Sequence, residues 1–135
     1  MIPQVHLFNL DIGIEIYSCK LKSASIKNFM NYLLLIYQNH IYFAQSDVKD
    51  PQFALIKNKY ALRHLEAQID RSDPRILNLI VKDKNNYIDL SLYFEDVNRT
   101  TSVKKSLEEQ RKSFRNTEYL LLDSYFDDLI SKWKF

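Results

Sequence analysis

A chain of 135 residues with 46% hydrophobic and 27% charged content has the make-up of one folded domain, which excludes a disordered tail as its main character. A formal net charge of +2 is too small to mark a dedicated nucleic-acid binder by itself. The single glycine, Gly13, excludes glycine-rich phosphate loops, dinucleotide fingerprints and nucleophile elbows, each of which needs more than one glycine.

The longest apolar run, Tyr32 to Tyr37, is far shorter than the roughly 20 residues of a membrane span. The first residues lack a basic n-region and read as a strand, so no signal peptide is expected. Cys19 is the only cysteine. It excludes an intrachain disulfide and favours a reducing, cytoplasmic setting, in which the sequon Asn98-Arg99-Thr100 is a chance match.

In chain order, residues 4 to 18 alternate with period two, His6, Phe8, Leu10, Ile12, Ile14 and Ile16 on one face, as a half-buried strand or a hairpin turning near Asp11–Gly13. From Ser25 the spacing changes to Ile26, Phe29, Met30, Leu33, Ile36, Tyr37, His40 and Ala44, one face of a helix over residues 25–45. Asp50-Pro51 has the form of an N-cap followed by proline at the first helical position and predicts a second helix over 51–70. Residues 76–82 and 87–95 flank the polar Asp83-Lys84-Asn85-Asn86 and read as a β-hairpin; the rival is a short helix over 75–82 opened by Pro74.

The C-terminal stretch 102–134 contains no Gly or Pro and carries apolar residues at helical spacing. As one helix it would be about 50 Å long, more than a small domain is wide. Leu107, Phe114 and Leu121 repeat every seven residues, as in an unbroken helix, while the charges also suit a bend near Asn116. Leu121, Leu122, Tyr125, Phe126, Leu129 and Trp133 cover a broad apolar arc, whereas Val103, Leu107 and Phe114 form only a narrow stripe.

Few residues suggest chemistry. His6, His40 and His64 lie in no close ligand pattern, and the adjacent Asp127 and Asp128 diverge on a helix. Lys57 and His64, with six residues between them, are loosely similar to the Arg-x4–6-His signature of helical ribonucleases, with lysine in place of arginine. The basic cluster Lys104, Lys105, Arg111, Lys112 and Arg115 is the best candidate for anion contact, since Lys104, Arg111 and Arg115 share a helical face. The i,i+4 pairs Lys104–Glu108, Lys105–Glu109 and Glu108–Lys112 equally suit a solvated helix.

The expectation is a single helix-dominated α+β domain over residues 1–135. An N-terminal strand and the 76–94 hairpin would form a small antiparallel sheet packed by helices near 25–45, 51–70 and 102–134. With no catalytic set, metal or cofactor expected, the chain reads as a non-enzymatic interaction subunit of an intracellular or viral assembly. It would contact a protein partner or a second copy through the long helix, at Leu107, Phe114 and the basic cluster. A nucleic-acid binder using the 104–115 face is the alternative, and a small helical ribonuclease a remote one.

Overall fold

The computed structural model describes residues 4–6, 14–24, 27–50 and 52–112. Eight strands lie among them: β1 (Gln4–His6), β2 (Glu15–Ser23), β3 (Met30–Tyr37), β4 (His40–Ser46), β5 (Phe53–Ala61), β6 (Leu65–Ile69), β7 (Ile76–Asp83) and β8 (Asn86–Tyr93). A 3-10 turn, Leu62–His64, joins β5 to β6, and helix α1 covers residues 97–112.

The strands form one antiparallel sheet in the order β1-β5-β4-β3-β2-β8-β7-β6. Strand β2 joins its two halves. Residues Glu15 to Leu21 pair with β3, and Lys20 to Ser23 pair with β8. The sheet closes over one core, because Leu21 of β2, Leu34 of β3, Phe43 of β4, Leu79 of β7 and Leu92 of β8 belong to the same buried cluster. Side chains alternate across a strand, so Cys19 and Leu21 enter that core while Ser18, Lys20 and Lys22 face outward.

Helix α1 completes the core. Thr100, Val103 and Leu107 recur at helical spacing and are buried, and the Thr100 hydroxyl donates to the Asp96 carbonyl at 3.3 Å. Asp96 is the N-cap, its carboxylate accepting from the backbone N–H of Asn98 at 2.9 Å. Ser106 and Gln110 donate to the Glu15 carboxylate, the latter at 3.2 Å, which ties the helix to β2.

The fold is mainly β, and this overturns the helix-dominated α+β expectation. The helix predicted over 25–45 is instead β3 and β4, turned by Gln38 and Asn39 with φ of 48° and 64°. The cause is burial on both faces. Leu34, Ile36, Ile41 and Phe43 enter the main core, while Leu35 and Ala44 join Ala54 in a second cluster on the opposite face. A strand apolar on both faces loses its period-two signature and reads equally well as a helix.

The helix predicted over 51–70 is β5, the 3-10 turn and β6. Asp50 builds a turn rather than capping a helix: its carboxylate accepts from Gln52 N–H at 3.3 Å and its carbonyl from Phe53 N–H at 3.0 Å. Opposite β4, Ala44 pairs with Ile56 and Phe43 with Asn58, so Lys57 is an extra residue in a bulge. The bulge shifts the phase: Ala54 and Ile56 face the outer cluster, and Tyr60, also even-numbered, packs on the main core. The hairpin predicted over 76–94 is present as β7 and β8, with Lys84 at φ 54° in its turn. Helix α1 begins at residue 97, five residues before the predicted 102; residues 113–134 and the bend considered near Asn116 lie outside the described residues.

Candidate surface for partner contact

The register of β2 against β8 places Lys20 opposite Tyr93 and Lys22 opposite Ser91, all on the outer face of the sheet. Tyr93 also pairs with Ile76 of β7, which brings the preceding Arg75 to its ring. The Lys20 ammonium lies 5.8 Å and the Arg75 guanidinium 5.0 Å from the Tyr93 ring centroid. The Lys22 ammonium sits 5.8 Å from the ring of Phe29, which is tilted against Tyr93 at a centroid distance of 6.0 Å. Two rings and three cations thus make one continuous outward surface, and Phe29 is 37% exposed within it. Each cation–ring contact at such a site contributes about 0.5–1 kcal/mol.

Arg75 has a second partner. Its Nε and Nη2 donate to the two carboxylate oxygens of Asp73, both at 3.2 Å. Those hydrogen bonds hold the Asp73 carboxyl below the usual range and raise Arg75 above its own. A polar network continues across β7: Asn78 donates to Asp70 at 3.0 Å, and Ser91 donates to the Asn78 carbonyl oxygen at 3.0 Å.

Next to this surface lies a cleft of about 430 Å³ lined by Ser18, Cys19, Lys20, Asn31, Tyr93, Glu95, Asp96 and Arg99. A second, of about 450 Å³, shares Ser18 and Asn31 and runs to Gln45, Ser46 and Val48. A third, of about 380 Å³, shares Asp96 and Arg99 and runs to Ile16, Tyr17 and Ser102. The three adjoin one another along β2. The first and third carry both charge signs on their walls, and the second joins Asn31, Gln45 and Ser46 to the apolar Tyr32, Leu33 and Val48. Cys19 is 7% exposed, and burial pushes its thiol up to about 12, so it stays a neutral thiol at physiological pH.

The residues singled out from the sequence are dispersed. Leu107, 3% exposed, belongs to the core. Lys104 donates to the Glu108 carboxylate at 2.6 Å. Arg111, half-buried, donates from Nη1 to the Leu65 carbonyl of β6. Lys105 and Lys112 are exposed, whereas Phe114 and Arg115 lie outside the described residues. The face proposed for Lys104 and Arg111 is thus engaged by the protein itself. Lys57 stands on β5 and His64 in the 3-10 turn, so the helix on which the ribonuclease-like spacing depended is not there. Arg75, Phe29 and Tyr93 lie far apart in the sequence and carry no pattern that marks them as a site. The available signal was Lys20-x-Lys22 alternating with Cys19 and Leu21, which marks two cations on the outer face of a strand.

No protein-family model and no curated protein matches the sequence. Solved structures do resemble the fold. Vav1 bound by an allosteric inhibitor superposes with a TM-score of 0.60 at 12% identity, over 72% of this chain and 26% of that one. The apo structure of an activated Vav1 truncation gives 0.60 at 13% identity, over 72% and 25%. The DH/PH domains of PDZ-RhoGEF, solved in complex with GTP-γ-S-activated RhoA, give 0.60 at 14% identity, over 78% and 32%. This chain spans a third or less of the length of the chains it matches, and at these identities the likeness is one of fold. Those structures contain DH, PH and C1 domains.

Proposed function

We propose that this chain is a non-enzymatic interaction domain that docks a protein partner in a reducing intracellular setting. The observation that carries the reading is the cation–aromatic surface that Lys20 and Lys22 of β2 and Tyr93 of β8 form with Phe29 and Arg75, the residues just before β3 and β7. The core needs nothing from the outward sides of these strands, and small polar residues would serve solubility there. The chain instead places Phe29, Tyr93 and Arg75 there, residue types enriched where proteins meet, with Lys20 and Lys22 over the two rings. The similar fold in multidomain exchange-factor chains, one of them solved with RhoA, is compatible with a docking role.

Nucleic acid is the second reading, carried by the same cations. It is the weaker one, because binding of single strands draws on free ring faces for base stacking. Here the Tyr93 ring has Lys20 and Arg75 over it and the Phe29 ring has Lys22.

Site-specific photo-crosslinking tests the proposal. A benzophenone side chain is introduced at Asn31, beside the surface, or at Gln68, exposed on β6, and the full chain is irradiated in extract from its own cells. A discrete protein adduct from position 31 that is missing from position 68 is expected. Identical adducts from both positions, or none from position 31, would overturn the proposal, and a nuclease-sensitive adduct would replace it with the nucleic-acid reading.

A further inference from the structure

We infer that the partner presents an acidic segment in extended conformation, laid along β2 with alternate carboxylates over Lys20 and Lys22. The inference rests on the protein-docking reading above and names the chemistry of the segment bound.

Spacing is the first ground. Lys20 and Lys22 are two residues apart on one strand and emerge on the same face, about 6.8 Å from each other. An extended peptide repeats its same-side residues at that interval, so successive carboxylates at every second position match the two ammonium groups.

Unused charge is the second. Lys82 bonds Glu66 at 3.3 Å and Lys104 bonds Glu108 at 2.6 Å, so carboxylates within the chain neutralise them. Lys20 and Lys22 make no ion pair among the described residues, and each rests over an aromatic ring. A ring face attracts the ammonium and fixes its position without neutralising it. The two charges are thereby held in place for an external anion, which lowers the ordering cost of binding.

The adjoining clefts decide between a peptide and an anionic membrane. Ser18, Asn31 and Gln45 offer donors and acceptors to a peptide backbone, and Arg99 offers a further cation. Glu95 and Asp96 stand on the same rim. A uniformly negative bilayer would press against both carboxylates, whereas a peptide can place a neutral or basic residue beside them.

The test uses the full chain and a fluorescein-labelled decapeptide of alternating Glu and Ser, read by anisotropy. A decapeptide of the same composition with its Glu residues in one block, an alternating Lys-Ser peptide, and vesicles of phosphatidylcholine with phosphatidylserine serve as comparators. The alternating Glu-Ser peptide is expected to bind tightest, with affinity falling as salt rises. Lys20→Gln combined with Lys22→Gln, which keeps part of the stems over the rings, should weaken it by about tenfold or more. Lys105→Gln with Lys112→Gln, on the helix, should leave it unchanged. Equal binding of the blocked peptide, indifference to the Lys20/Lys22 change, or tighter binding to the vesicles would each overturn the inference. A partner-specific crosslink at position 31 alongside any of those results would leave the docking role standing and remove only the acidic extended segment.

Discussion

At residue scale, the tightest local chemistry is in the β6–β7 connection, where one carboxylate organises the turn. Asp70 accepts from the Ser72 hydroxyl at 2.6 Å, from the Asn78 amide at 3.0 Å and from the backbone N–H groups of Ser72 and Asp73 at 3.1 and 3.0 Å. The Ser72 hydroxyl is the largest cause, followed by Asn78, and together these donors hold the carboxyl at about 2 against an ordinary 3.8. The folded chain thus releases this proton more readily than the unfolded one. The resulting stabilisation is complete above the unfolded value near 3.8 and is lost as pH falls toward about 2. A carboxyl-carbon NMR titration of Asp70 should give a midpoint near 2, and Asp70→Asn should flatten the acid side of the stability profile. A midpoint near 3.8 would refute the network. The turn after β3 illustrates what the residues conceal. Gln38 and Asn39 both hold positive φ, a geometry usually announced by glycine, and a chain with one glycine gives no such announcement.

At element scale, helix α1 has two unlike sides. Its inward residues seal the core and its outward residues are solvated, so the narrow stripe seen in the sequence at Val103 and Leu107 is a core contact of this chain. Leu107→Ala should therefore cost about 2–5 kcal/mol of unfolding free energy, the range for truncating a buried leucine. Urea denaturation measures it. A change below about 0.5 kcal/mol, the level of an exposed position, would return Leu107 to the role of a partner contact. The legibility of the elements follows the same physics. The β7–β8 hairpin could be read because Leu90, Leu92 and Phe94 are buried while Asp89 is solvated, which preserves the alternation. In β3 and β4 both faces are apolar, in β5 the bulge at Lys57 shifts the phase, and Asp50-Pro51 imitates a helix start. The surface at Phe29, Arg75 and Tyr93 could not be read, since it depends on bringing β2 beside β8, more than 60 positions along the chain by the Lys20–Tyr93 pairing.

At the scale of the whole molecule, β2 decides how the parts cooperate. It pairs with both halves of the sheet, and Glu15 at its start holds Ser106 and Gln110 of the helix. The main buried cluster contains side chains from β2, β3, β4, β6, β7, β8 and α1, so neither half of the sheet retains a complete core without the other. The expected consequence is a single cooperative opening. Native-state hydrogen exchange should give the amides of Leu34 and Ile36 in β3, Leu92 in β8 and Val103 and Leu107 in α1 the same opening free energy. Leu107→Ala should then lower all five by a common amount, although its side chain lies in the helix. If Val103 and Leu107 exchanged through a lower-energy opening while the strand amides kept the global value, the helix would be a separately detachable cap. Lys105 and Lys112 could then move relative to Lys20, Lys22 and Arg75. A single opening fixes the helix against β2, so that Arg99 and the helix start form one rigid surface with Lys20 and Tyr93.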